Sequence, residues 1–116
     1  MKLPAWIAAP LEALALVLLR ERGERVDGMR HGVWTRRFPS GRLFTERSFD
    51  RGVRNGRERR WYLDGTPRWH GEWRAGCRSG EWIYMTRDER VHDGLTGVYE
   101  NGEKIAPVRG FNDWKS

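Results

Sequence analysis

The chain has 116 residues, 22 Lys and Arg against 16 Asp and Glu, a net charge of +6 and a mean hydropathy of −0.82. A chain of this length holds one domain with a single modest core, because it buries only about 65% of the surface its unfolded form exposes. Low hydropathy alone fits disorder, but seven Trp, three Tyr and four Phe supply large apolar areas that a disordered chain lacks.

Residues 3–19, LPAWIAAPLEALALVLL, are apolar apart from Glu12. Pro10 suits a first helical position, Glu12 the first turn, Arg20 and Arg22 the last, and Gly23 the C-terminal cap. The spacing predicts a helix over about 10–22 inside an N-terminal segment 1–25. Its residues Leu11, Leu14, Leu16, Val17, Leu18 and Leu19 surround the axis, so the helix must be covered on most sides. Two coverings compete. The helix packs on the rest of the chain or on a partner protein, or residues 1–22 attach to a membrane with Arg20, Arg22 and Arg25 on the cytoplasmic side. Seventeen residues at 1.5 Å reach only ~25 Å against a hydrocarbon core of roughly 30 Å, which makes a full span short. No small-x-small cleavage site follows the apolar run, which argues against a secretory signal.

Residues 26–105 repeat. GMRHG at 28–32, GVRNG at 52–56 and GCRSG at 76–80 set a period of 24 residues, as stacked supersecondary units do. Nine residues after the second glycine of the first two strings come Gly41 and Gly65, in the turn-like PSG and LDG. Aromatics fall at matched places: Phe38 with Tyr62, Phe49 with Trp73, and Trp34 with Trp82. The third copy has drifted, with Glu89 in the place of Gly41 and Tyr99 displaced by a two-residue insertion. Each copy reads as two runs of about seven residues separated by turn chemistry, which is a β-hairpin signal. The fold predicted is mainly β: a single antiparallel meander of about six strands preceded by the N-terminal apolar helix and followed by a tail, 106–116. Alternation gives it an aromatic face, with Trp34, Phe38, Phe49, Tyr62, Trp73, Trp82 and Tyr99, and an arginine-rich face.

The strings GVWTRRFPSG with FDRGVRNG, GRERRWYLDG with WRAGCRSG, and GEWIY with YENGEK resemble the MORN-repeat variant family, the bacterial branch that includes antitoxin-like proteins. The resemblance covers about residues 28–104 and departs from the pattern at Glu58, where the tryptophan is missing, at Glu89 and at the insertion. It implies a β-hairpin repeat scaffold with no catalytic residues, in which related repeats serve as scaffolds, lipid-associated modules and antitoxin partners.

Chemistry is sparse. His31, His70 and His92 are the three histidines, with no i, i+4 pair and no second cysteine, so no zinc site is predicted and no cofactor is implied. Cys77 occupies the repeat slot of Met29 and Val53, where a turn-flanking apolar residue is expected rather than a nucleophile; being the one cysteine, it also forbids an intrachain disulfide and fits a cytoplasmic compartment. We expect a non-enzymatic interaction module, an accessory or antitoxin-like subunit, with a larger protein or multi-subunit complex as partner and no small-molecule substrate. The residues expected to carry binding are Trp6, Leu14 and Leu18 on the helix and Trp34, Trp69, Trp73 and Trp82 on the sheet, with polar contacts from Arg36, Arg59 and Arg60. Arg30, Arg54 and Arg78 are expected to form a basic ladder along one edge. The alternatives are an accessory subunit of a membrane complex anchored at an anionic surface by residues 1–22, and a basic sheet binding nucleic acid, disfavoured because a one-sided sheet yields the same arginine–aromatic alternation without a ligand.

Overall fold

The computed structural model describes residues 20–108. Eight strands form one antiparallel meander in chain order: β1 Arg22–Val26, β2 Met29–Arg37, β3 Leu43–Asp50, β4 Val53–Trp61, β5 Pro67–Arg74, β6 Cys77–Tyr84, β7 Gly97–Glu100 and β8 Glu103–Ala106. The strand count exceeds the six expected because each end of the repeat contributes a strand that its signature hides. At the start, β1 precedes the first glycine of the pattern and pairs with β2, Val26 opposite Met29 and Arg25 opposite Arg30. At the far end, the strand of the displaced Tyr99, β7, pairs with β6, and the further strand β8 folds back to pair with it.

This strand also corrects the expected helix at its C-terminal boundary. Arg22 and Gly23 lie in β1, so Gly23 is no helix cap. It is small because the indole of Trp34 lies on it: a Cβ there would sit 2.5 Å from the ring. Residues 1–19, with Trp6, Leu14 and Leu18, lie outside the described residues. Among the described residues no helix is long and apolar enough to cross a membrane.

Two turn types alternate at the two ends of the sheet. At one end Asp27-Gly28, Arg51-Gly52, Ala75-Gly76 and Asn101-Gly102 all have positive φ at both positions. That is the I′ geometry whose twist matches the flanking strands. Stacking neighbours ties these turns together. The amides of Gly52, Gly76 and Gly102 donate to the carbonyls of Arg30, Arg54 and Arg78 of the preceding copy, at 2.7, 2.9 and 3.1 Å. His31 Nδ1 and Asn55 Oδ1 accept from Arg51 N and Ala75 N. At the other end the loops 38–42, 62–66 and 86–90 close by the same pair of backbone bonds, for example Tyr62 N to Thr66 O and Gly65 N to Tyr62 O. The third loop keeps this geometry although Glu89 replaces glycine, holding φ at 61°.

The two-residue insertion is absorbed between β6 and β7. Thr96 turns its buried hydroxyl onto Tyr84, accepting from Tyr84 N at 3.0 Å and donating to Tyr84 O. A side chain thus completes the ladder where the strand has been interrupted.

One face carries the core: Trp34, Phe38, Phe44, Phe49, Trp82, Tyr84 and Tyr99 are buried. Trp69 and Trp73 pack half-buried against Trp82, Tyr84 and Tyr99. Trp73 meets Trp82 edge-on at 5.5 Å, and Trp82 stacks on Tyr84 at 5.9 Å. Tyr62 sits in the second loop, donating its hydroxyl to Met85 O at 2.8 Å.

Candidate binding cleft on the aromatic face

Three rows of side chains cross this face, each set by the strand register. The central row runs Gly23, Trp34, Arg47, Glu58, Gly71, Trp82, Gly97. Trp34 lies opposite Arg47, Arg47 opposite Glu58, Glu58 opposite Gly71, and Trp82 opposite Gly97. Its logic is a glycine beneath each tryptophan. A Cβ on Gly71 would come within 2.1 Å of the Trp82 ring, as Gly23 accommodates Trp34. Each indole then donates to a backbone carbonyl one residue beyond its glycine, Trp34 to Glu24 O and Trp82 to Glu72 O, both at 2.9 Å. In the middle copy both members change. Arg47 stands in the glycine slot and Glu58 in the tryptophan slot.

The paired exchange opens the floor of the sheet. A cleft of about 500 Å³ lies there, lined by Arg36, Thr45, Arg47, Arg54, Arg59, Arg60 and Arg78, with Glu21 and Glu58 as its acids and Phe44, Trp69, Trp73 and Tyr84 as its aromatic walls. Glu58 is buried, accepts from Trp69 Nε1 at 2.9 Å, and lies 3.9 Å from Arg54 Nη1. Glu21 reaches in from the residue before β1, with its side chain only 8% exposed, and holds Arg47, with Arg36 and Arg30 at 3.9 and 3.7 Å. Six arginines against two glutamates leave the cleft positive. Burial and then the Arg54 charge lower the pKa of Arg47; burial and then Arg68 lower that of Arg60. Both guanidinium groups thus sit where positive charge is disfavoured, the condition an anion relieves. Burial pushes the Tyr84 phenol up to about 12, so it stays a neutral donor.

The row on one side runs Arg36, Thr45, Arg60, Trp69, Tyr84. Here Arg60 lies over Phe44 at 4.4 Å and over Trp69 at 4.9 Å. The row on the other side holds Phe49 opposite Arg54 and Trp73 opposite Arg78. Arg30 lies over Trp34 and Phe49, Arg54 over Trp73, and Arg78 over Trp73, Trp82, Tyr84 and Tyr99, within 4.8 to 5.8 Å of the rings. The three arginines expected as an edge ladder are therefore strand residues of β2, β4 and β6, stacked on the aromatic face two positions after each I′ turn.

The sheet residues expected to bind a partner do not share one environment. Trp34 and Trp82 are core residues, the latter 1% exposed. Trp69, Trp73, Arg36 and Arg60 line the cleft. Arg59 borders the cleft too, but its guanidinium follows the alternation of β4 onto the opposite face, where Nη2 donates to Glu46 Oε1 at 2.8 Å and the group stacks on Trp61. That face has its own depression of about 640 Å³ lined by Arg57, Arg59, Arg60, Trp61, Trp69, His70, Glu72 and Glu81. Although larger, it sets three arginines against two glutamates, with Arg59 already held by Glu46, so the more strongly positive cleft on the aromatic face is the stronger candidate. Arg47, Thr45 and Glu21 were absent from the expected set. A signal for Arg47 exists in the sequence: Gly23, Arg47 and Gly71 each fall eleven residues before Trp34, Glu58 and Trp82.

Cys77 is exposed at the start of β6. Among the described residues no group of three or more His, Cys, Asp or Glu is placed to hold a metal ion. No protein-family model matches the chain, and no match is found among curated proteins.

Proposed function

We propose that the protein is a non-enzymatic interaction module, an accessory or antitoxin-like subunit that binds a larger protein partner through the cleft on its aromatic face. The observation that carries this reading is the exchange of Gly and Trp for Arg47 and Glu58 in the middle copy. Structural repeats keep their core pair for packing, and a copy that gives it up loses apolar burial and gains a desolvated charged cleft. Local departures from a fold's own pattern concentrate where a protein acts. The resemblance of residues 28–104 to MORN-repeat variants adds support, since repeats of that kind act as scaffolds and partner-binding modules. Half-buried Trp69 and Trp73 beside Arg36 and Arg60 supply the aromatic and arginine anchors on which protein interfaces concentrate binding energy.

The test is native co-purification of the tagged full chain at modest salt, with the wild type compared with Arg60→Glu. A stoichiometric protein partner that comes down with the wild type and is lost with the charge reversal is the expected result. Recovery of the wild-type chain alone would refute the constitutive-partner reading.

A further inference from the structure

The side row of the cleft holds three hydrogen-bonding atoms that the sheet leaves without a partner. Arg36, Thr45 and Arg60 stand side by side on β2, β3 and β4, Arg36 opposite Thr45 and Thr45 opposite Arg60. Thr45 is 8% exposed, and its hydroxyl has no hydrogen-bond partner in the protein. The same is true of Arg36 Nε and Arg60 Nε, both buried. With strands ~4.8 Å apart, the two arginines flank the threonine at about 5 Å on either side. Three donors in a line, each desolvated, are costly to leave unmade, and more so on a charged group than on a neutral one.

We infer that this row is a carboxylate seat: an acidic side chain of the partner's segment sits over Thr45 and accepts from Arg36, Arg60 and the Thr45 hydroxyl. The inference rests on the partner-binding reading and names the chemistry recognised. Carboxylate fits better than phosphate on two grounds. The cleft already holds carboxylates in this manner, since Glu21, on the segment entering β1, is gripped by arginines of β2 and β3. A nucleic-acid strand laid along the face would bring a backbone with a charge fixed at every phosphate past Glu21 and Glu58, whereas a carboxylate at the end of a side chain can reach the seat while its neighbours turn away from both acids. The lowered pKa values of Arg47 and Arg60 agree with a positive cluster that an added anion relieves.

The experiment titrates the full chain with hexaglutamate at low salt, following tryptophan fluorescence, since Trp69 and Trp73 wall the cleft. Hexaglutamine and a twelve-nucleotide single-stranded DNA are the comparison probes. Hexaglutamate is expected to bind at least tenfold more tightly than hexaglutamine. Thr45→Val keeps shape and removes only an unpartnered hydroxyl, so it should leave the unfolding midpoint unchanged or raised while weakening hexaglutamate about fivefold. Arg60→Gln should weaken it about tenfold. Arg57→Gln, on the opposite face, should change it less than twofold. Undiminished binding in both Thr45→Val and Arg60→Gln would overturn the seat, as would DNA binding more tightly than hexaglutamate. If a partner co-purifies yet ignores Thr45→Val, the seat fails and the interaction module stands on another surface. If hexaglutamate binds as described but no partner co-purifies, the seat stands without a constitutive complex.

Discussion

Restoring the repeat pattern in the middle copy should trade the cleft for stability. The perturbation is the pair Arg47→Gly with Glu58→Trp, which rebuilds the glycine-under-indole arrangement that Gly71 and Trp82 show. An indole in that slot takes on the order of 200 Å² out of water, worth about 5 kcal/mol at 25 cal/mol/Å². Against this, Trp69 Nε1 loses its acceptor on Glu58, costing about 2 kcal/mol, Glu21 loses Arg47 and keeps only Arg30 and Arg36, costing about 1 kcal/mol, and a glycine in a strand costs about 1 kcal/mol. The double variant should therefore gain about 1 kcal/mol, a rise in Tm of about 5 °C for a domain of this size. Glu58→Trp alone should not gain, because the ring would meet the Arg47 side chain where the pattern needs hydrogen. Trp82 leaves only 2.1 Å for a Cβ on Gly71, and such overpacking costs about 1–3 kcal/mol. Urea unfolding of the two single variants and the double forms a cycle with an expected coupling of about 2 kcal/mol. The same double variant should lose partner capture. Additivity of the singles within about 0.5 kcal/mol would refute the idea that positions 47 and 58 are one exchanged unit.

Gly71→Ala should cost about 2–3 kcal/mol in urea unfolding, since its Cβ meets the buried Trp82 ring rather than a flexible chain end; a loss under 1 kcal/mol would show that the indole can move away. Glu89→Gly should stabilise the chain by about 1 kcal/mol by relieving φ of 61° in the third loop, where its two counterparts are Gly41 and Gly65; no change in Tm would count against it. Burial, reinforced by Arg57 and Arg59, lowers the pKa of His70 below its ordinary 6.5. The unfolded chain then binds the proton first, so this contribution is fully present above pH 6.5 and is lost as pH falls from there to the folded value. The urea midpoint of the wild type should drop further than that of His70→Gln between pH 7.5 and 5; equal drops would refute it.

Much of the scaffold was legible because glycine and aromatic spacing report on backbone and core at once. The recurring Gly52 and Gly76 and the PSG and LDG loops mark the reversals, and β2 to β6 follow, although the turns lie at 51–52 and 75–76 and the rest of each glycine string belongs to β4 or β6. The ends were hidden for physical reasons. Every residue of β1, RGERV, is exposed, so it carries no alternation of burial to betray a strand. Its pairing depends on Gly23 fitting under a tryptophan eleven residues later. In β7 the period breaks because the inserted residues are bridged by the Thr96 side chain, which no propensity anticipates. Glu58 was visible as a missing tryptophan, but its meaning needed Arg47, and that partner is recognised only from what lies beneath each indole. The division of Arg59 from Arg60 needed less, since neighbouring strand residues face opposite ways.

The position of the exchange has an energetic rationale of its own. In a stacked repeat each unit gains its stability from the neighbours on either side, so a costly substitution is best tolerated where both neighbours are intact. The β3–β4 hairpin that carries Arg47 and Glu58 is flanked by the Gly23–Trp34 pair on one side and the Gly71–Trp82 pair on the other. Beyond Trp82 the row ends on Gly97, and β8 is the last strand among the described residues, with Ile105 exposed. The same charged exchange placed there would remove packing from a strand paired on one side only. In the middle copy the lost indole leaves a cleft whose walls are fixed by complete units, and a rigid surround holds buried donors such as Thr45 Oγ1 in place for an incoming acceptor. Trp34→Phe and Trp82→Phe should each therefore weaken hexaglutamate binding, although neither ring lines the cleft. Arg57→Gln on the opposite face should not, and a cleft indifferent to both flanking tryptophans would need another source of its shape.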